Sequence, residues 1–186
     1  MLHHCTAVLL AELNRYIQAK LSIKEAAVVG AIVSNAAGEH KEAKPIRMRL
    51  VDIVPVELRS SPHEYVPQGD SFIVRKQPSA FSLYFLFSIA YKEVDLLKNL
   101  ELLAYVAAFF QHKPYFDGCN TPILQQMGIE NFSVELVRLT STERSMLWSG
   151  LQLPYAPSLL YKVGLVFIED TTMGTQIVSS FEILKR

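Results

Sequence analysis

Residues 140–166, Thr-Ser-Thr-Glu-Arg-Ser-Met-Leu-Trp-Ser-Gly-Leu-Gln-Leu-Pro-Tyr-Ala-Pro-Ser-Leu-Leu-Tyr-Lys-Val-Gly-Leu-Val, decide how this chain is read. Thr140 and Glu143 stand at the Thr-x-x-Glu spacing of a capping box, in which hydroxyl and carboxylate each satisfy an amide that a first helical turn leaves open. The short helix that follows carries Met146, Leu147 and Trp148, the one tryptophan of the chain. Pro154 and Pro157 end it, and Leu159–Glu169 then reads as a long apolar strand. Nothing in the stretch is spaced for acid–base, nucleophilic or metal chemistry. It reads as a packing and docking unit.

Working outward, Phe132–Leu139 places Phe132, Val134, Leu136, Val137 and Leu139 in a strand before the box. Phe81–Tyr91 is nearly all apolar and aromatic, the mark of a central strand covered on both faces. Asp95 is positioned to cap a helix that runs to His112 and stops before Pro114, with Val94, Leu97, Leu100, Leu103, Ala104, Ala107 and Phe110 on its apolar face. Tyr115–Glu130, with Gly118, Pro122 and Gly128, is a turn-rich connection.

Further out, Ile46, Met48 and Leu50 alternate with Arg47 and Arg49, which predicts a half-buried strand over Ile46–Leu58. Pro55 puts its later part at an edge or a bulge. Ala26–Ser34 is short, apolar and rich in β-branched residues, again a strand. Residues 4–21 hold Val8, Leu9, Leu13, Tyr16, Ile17 and Leu21 at helical spacing. Asn35–Lys44 reads as an exposed loop. Arg59–Gln77, with Pro62, Pro67 and Gly69 around Phe72–Val74, reads as a long excursion, and Gln176–Ile183 as a small last strand. Strands and helices in this order, without regular βαβ alternation, make an α+β fold: a mixed, mainly antiparallel sheet packed against a few helices. The expectation is a single domain over 1–186, with exposed loops near 35–44 and 59–77.

Composition narrows the function classes. Eighteen Lys and Arg balance eighteen Asp and Glu in 186 residues, which argues against a nucleic-acid binder. Charged residues make up 19% and hydrophobic ones 50%, so self-repulsion is weak. That balance fits self-assembly or permanent partners, and equally a well-buried monomer; composition leaves both open. The two cysteines, Cys5 and Cys119, form neither a disulfide framework nor a zinc motif, and a reducing compartment fits them, with one bridge between them still open. The first ten residues lack a basic segment followed by a long apolar one, so no secretory leader is expected. The runs Phe81–Tyr91 and Leu96–Phe110 fall short of the ~20 apolar residues of a membrane span.

No active site emerges from the residue types: no catalytic, cofactor-binding or metal-binding residues are expected. His3 and His4 are adjacent and read as a frayed terminus; His40 and His63 lie in polar stretches; His112 ends a helix, where a cation is favoured. Glu169–Asp170 reads as a solvated turn. Gly30, Gly38 and Gly69 are too scattered to cradle a phosphate. Ser158 and Cys119 are lone nucleophiles without a paired base. Tyr84, Phe85, Phe87, Phe109 and Phe110 read as core, and Trp148 as either core or an anchor at a contact.

Beyond these readings, the chain resembles a known family. Phe109-Phe110-Gln111 and Phe116, followed by Leu139, Glu143, Leu147-Trp148-Ser149, Tyr155, Pro157-Ser158 and Tyr161-Lys162-Val163, are similar to the motifs of the tail-terminator, or sheath-cap, proteins of contractile injection systems, which are phage-tail-like particles. The resemblance covers most of the chain. It implies a phage tail-terminator-like fold, a non-enzymatic structural role, and a ring, a homohexamer, at the end of the inner tube distal to the baseplate. It implies the inner tube protein and the sheath protein as partners, with no nucleic acid and no membrane insertion. The chain is then made in the cytoplasm and built into a particle. The reading from another class is a non-enzymatic α+β domain that binds a peptide or small molecule.

Overall fold

The computed structural model describes residues 2–21, 29–31, 45–56, 63–68, 71–76, 79–89, 96–168 and 176–179, with side chains for 2–21, 45–56, 80–89 and 96–164. Among these the elements run α1 (Leu2–Leu21), β1 (Val29–Ala31), β2 (Ile46–Val56), β3 (His63–Gln68), β4 (Ser71–Lys76), β5 (Ser79–Ile89), α2 (Leu96–His112), β6 (Tyr115–Asp117), α3 (Ile123–Gln126), β7 (Asn131–Val137), α4 (Ser141–Gly150), β8 (Ser158–Ile168) and β9 (Gln176–Ser179). One sheet has the order β1-β2-β5-β8-β7-β6 and a smaller one the order β3-β4-β9. Among the described residues only the β1–β2 pair is parallel. The fold is α+β with a mixed, mainly antiparallel sheet, as the sequence predicts.

Strand β5 is central because its side chains suit two apolar faces. Leu83, Phe85, Phe87 and Ile89 are buried on one, and Ser82, Leu86 and Ser88 on the other. Burying rings such as Phe85 and Phe87 contributes about 2–3 kcal/mol each. Phe110 of α2 lies 5.6 Å from the Phe87 ring and 4.6 Å from Tyr161 on β8, so the first face is the one under α2. Helix α1 packs beside it, with Tyr16 against Phe109 at 5.3 Å. Of the residues the periodicity selects, Val8, Leu9, Leu13 and Ile17 are buried and Tyr16 and Leu21 half-buried, while Cys5 and Asn14 join the buried face.

Several expectations need correction. The buried stripe of α2 is Asn99, Leu102, Leu103, Val106, Phe109 and Phe110, whereas Leu97 is 83% exposed and Leu100 and Ala104 face solvent. Residues 96–110 are apolar nearly all round, so residue identity does not set the phase of the helix; packing on the sheet does. Asp95 and Val94 lie outside the described residues. His3 and His4 are not a frayed end but part of α1. The long excursion at 59–77 contains the hairpin β3–β4, whose second strand also pairs with β9. Pro67 is tolerated there because β3 is the outer strand of that sheet among the described residues. The turn-rich connection at 115–130 holds the short elements β6 and α3. Of the strand read over Ala26–Ser34, 29–31 form β1, and the loop at 35–44 lies outside the described residues.

Pro55 does sit at an edge. β1 pairs only with Ile46–Met48, so the outer side of β2 beyond Met48 has no neighbour among the described residues. A bulge falls between Leu50 and Asp52.

Candidate interaction surface

Helix α4 lies between two neighbouring antiparallel strands, β7 and β8, and its start is fixed by the box read from the sequence. The Glu143 amide donates to Thr140 Oγ1 at 3.3 Å, while Glu143 Oε2 accepts from the Thr140 amide at 2.7 Å and from its hydroxyl at 2.8 Å. The bond from the Thr140 amide, then that from its hydroxyl, hold the Glu143 carboxyl below its ordinary pKa. The helix ends where Gln152 adopts φ 53°, a left-handed conformation unusual for a residue other than glycine. The segment after it is pinned to the sheet by the Ile89 amide, which donates to the Pro157 carbonyl at 3.3 Å.

Two grooves flank α4. The larger, about 500 Å³, has Ser141, Ser145 and Ser149 with Arg144 and Trp148 on one wall, and Leu153 and Tyr155 on the other. Trp148 and Tyr155 meet edge to face with ring centroids 5.8 Å apart. Trp148 is buried and Tyr155 is 58% exposed, so the tryptophan is both a core residue and a wall of the groove. The smaller, about 290 Å³, is lined by Leu86, Leu136, Val137, Leu139, Leu159 and Leu160 with Arg138, Arg144 and Ser158. Register puts Leu86, Leu160 and Val137 in one cross-strand row, on the sheet face away from α2. Arg144 borders both grooves. Met146, 68% exposed, extends the apolar surface along α4.

The lone reactive groups are not brought together. Ser158 opens on the smaller groove beside leucines and arginines, with no His, Asp or Glu in that lining. Cys5 and Cys119 are free thiols rather than a bridge. Cys5 is inside α1, where burial pushes its thiol up to about 12, and Cys119 is exposed in a turn. His4 has a buried Nδ1 without a hydrogen-bond partner among the described residues, and burial first, then His3, lower its pKa. His112 ends α2 as expected. The side chains of His40, His63, Glu169 and Asp170 lie outside the described residues. Among those described, no three of His, Cys, Asp and Glu are placed to hold a metal ion. No described helix is long and apolar enough to cross a membrane.

Among the described residues, the cation with the most hydrogen-bond partners, Lys113, is structural. Lys113 Nζ donates to Glu12 Oε2 at 3.0 Å, Thr121 Oγ1 at 2.8 Å and the Asn120 carbonyl at 3.1 Å, and lies 4.7 Å from the Phe116 ring centre. It joins α1, the end of α2 and the turn after β6. Sequence reading missed this clamp, because Glu12 and Lys113 are a hundred residues apart. It also missed the groove, although Ser141, Ser145 and Ser149 at i, i+4 and i+8, beside Arg144 and Trp148 at i and i+4, signal a shared helix face.

A family model described as the Pvc16 N-terminal domain matches residues 4–180. No curated protein matches. Among solved structures, the chain is similar to the sheath/tube terminator, in its extended state, of PVC, an extracellular contractile injection system. That similarity has 14% identity and a TM-score of 0.47, covering 91% of this chain and 60% of the other.

Proposed function

The chain belongs to the Pvc16 N-terminal domain family, and on that premise we propose that it is a structural terminator of a contractile injection system. Copies of the chain close into a ring, a homohexamer, at the end of the inner tube distal to the baseplate. The ring stops tube growth and ties the sheath to the tube. Residues 1–186 act as one terminator domain by shape and contact, not by catalysis, and neither nucleic acid nor a membrane is a partner. The chain is made in the cytoplasm and becomes part of the particle.

The family match over 4–180 carries this reading. The motif residues Trp148, Tyr155, Pro157–Ser158 and Tyr161–Val163 lie in α4, the following turn and β8, which also form the grooved, partly apolar surface. Surfaces of that kind normally mark contacts. The outer side of β2 beyond Met48, which has no neighbour among the described residues, supports the link to the sheath, since an open strand edge accepts a partner strand by β-augmentation.

The test is electron microscopy of particles assembled from the sheath, tube and baseplate proteins with and without this chain. Uniform, sheathed tubes are expected with it, and overlong tubes with detached sheath without it. Uniform sheathed tubes in its absence overturn the reading. Light scattering of rings released from particles reads the oligomer, with a mass about six times that of the protomer expected.

A further inference from the structure

The smaller groove beside α4 has an apolar floor with arginines on both sides. The floor is the cross-strand row Leu86, Leu160 and Val137, and the register continues that row to Arg49 on β2. In the neighbouring row Arg47 stands opposite Ser88, which pairs in turn with Ser158 of the groove lining. Residues opposite one another in an antiparallel pair share a face, so Arg47 and Arg49 flank the floor from the β2 side. Arg138 and Arg144, both exposed, line it at the far end. None of the four has a carboxylate partner among the described residues; Arg144 reaches only the Leu139 carbonyl, at 3.5 Å. No Asp or Glu lines the groove. The nearest carboxylates on this face, Asp52 and Glu135, stand in the next row, where Glu135 lies opposite Lys162 and Asp52 accepts from the Ile53 amide at 2.8 Å. Glu143 is committed to the capping box. A chain with equal numbers of acids and bases thus gathers four arginines around one leucine-floored groove and supplies them no counter-charge there. Such a surface is complementary to a partner that brings both carboxylates and an apolar side chain.

We propose that this groove docks an acidic segment of a partner protein, extended across the strands, with an apolar side chain on the floor between two carboxylates. Three strand spacings separate β2 from β7, about 14 Å. In an extended chain, residues i, i+2 and i+4 share one face, and the outer two are about 13 Å apart. An acidic residue at each end and a leucine between them therefore match the two arginine pairs and the row Leu86–Leu160. The guanidinium fork suits carboxylates, which it can hold through two parallel bonds. Leu136, 53% exposed, adds apolar surface at the mouth. A nucleic acid would answer the arginines and leave the leucines wet, so a peptide fits better. The inference deepens the assembly reading and rests on it only for the source of the segment, a neighbouring protein of the particle.

The probe is acetyl-Glu-Ser-Leu-Ser-Glu-amide, titrated into the full chain and followed by amide chemical shifts. Saturable shifts at Leu86, Val137 and Leu160 are expected below about 5 mM peptide. Replacing both Glu by Gln weakens binding at least about tenfold, and replacing the Leu by Ser weakens it several-fold. Binding also falls as salt is raised. On the protein side, Arg49→Ala with Arg138→Ala loses at least about tenfold, while lysine at both positions retains part of the affinity. Unchanged melting of the double variant separates lost binding from lost fold, and the peptide replacements test the site on the unaltered chain. No shifts at those residues up to about 5 mM, or equal binding of the Gln peptide, overturns the proposal. A Leu-to-Ser peptide that binds as tightly marks a plain anion surface and overturns it too. If the peptide binds but tube length ignores the chain, the terminator reading fails and the groove stands. If tube length depends on the chain and the peptide does not bind, the groove assignment fails alone.

Discussion

The excursions on either side of β7 differ in how fully their polar groups are satisfied. Before the strand, residues 113–130 pair their polar groups closely, although Tyr115 and Ile123 are exposed there too. Lys113 has three acceptors and an aromatic face, and Phe116 stacks on Phe132 at 4.7 Å. α3 ends with Gly128 at φ 67°, with the Gly128 amide donating to the Gln125 carbonyl and the Ile129 amide to the Leu124 carbonyl, a complete Schellman cap. After the strand, residues 140–155 are closed at one end only. The capping box fixes the start of α4, but Gln152 occupies a left-handed position, Trp148 Nε1 has no acceptor among the described residues, and Met146 and Tyr155 face solvent. The first region answers its polar groups within the chain, and the second leaves one donor unanswered among the described residues.

Substitution tests that contrast directly. Lys113→Met leaves the Glu12 carboxylate, whose side chain is only 16% exposed, with Arg15 alone at 2.8 Å, removes the donor to Thr121 and the Asn120 carbonyl, and should cost about 2 kcal/mol in denaturant unfolding. Arg144→Ala on the open side should stay within about 0.5 kcal/mol of the parent. Equal costs for the two would erase the distinction. Next, Gly128→Ala forces a side chain into the left-handed region and should cost about 1–2 kcal/mol, read from the same curves.

The capping box gives a smaller effect with a pH signature. Thr140→Ala should cost about 1 kcal/mol. Because Thr140 lowers the Glu143 pKa in the folded state, the box's contribution is fully present above the ordinary glutamate value and is lost as pH falls through the lowered one. Protection of the first-turn amides of α4, taken relative to their intrinsic exchange rates at each pH, should therefore fall on acidification in the parent and change less in Thr140→Ala. Smallest is Gln152→Gly, which relieves the left-handed strain against a loss of chain entropy and should stabilise by about 0.5 kcal/mol in thermal melts.

What sequence could show divides along the same line. The box was legible because its partners are three residues apart, and β5 because an apolar run bounded by polar residues has one plausible place in a sheet. The face of α2 was not, since Leu97 and Leu100 are as apolar as Leu102 and Leu103, and only the sheet beneath decides which are buried. The hairpin β3–β4 was read as an excursion because its pairing with β9 spans about a hundred residues. The motif around Trp148 pointed to the right family, but the groove exists only once Leu153 and Tyr155 fold back beside α4, and an unanswered indole N–H is a property of three-dimensional packing.

The most direct test compares amide hydrogen exchange of the free chain with that of the chain in assembled particles. The contrast between the two excursions predicts strong slowing across residues 141–155 on assembly and little change across 115–129. Unchanged exchange at 141–155, or protection confined to 115–129, would contradict it.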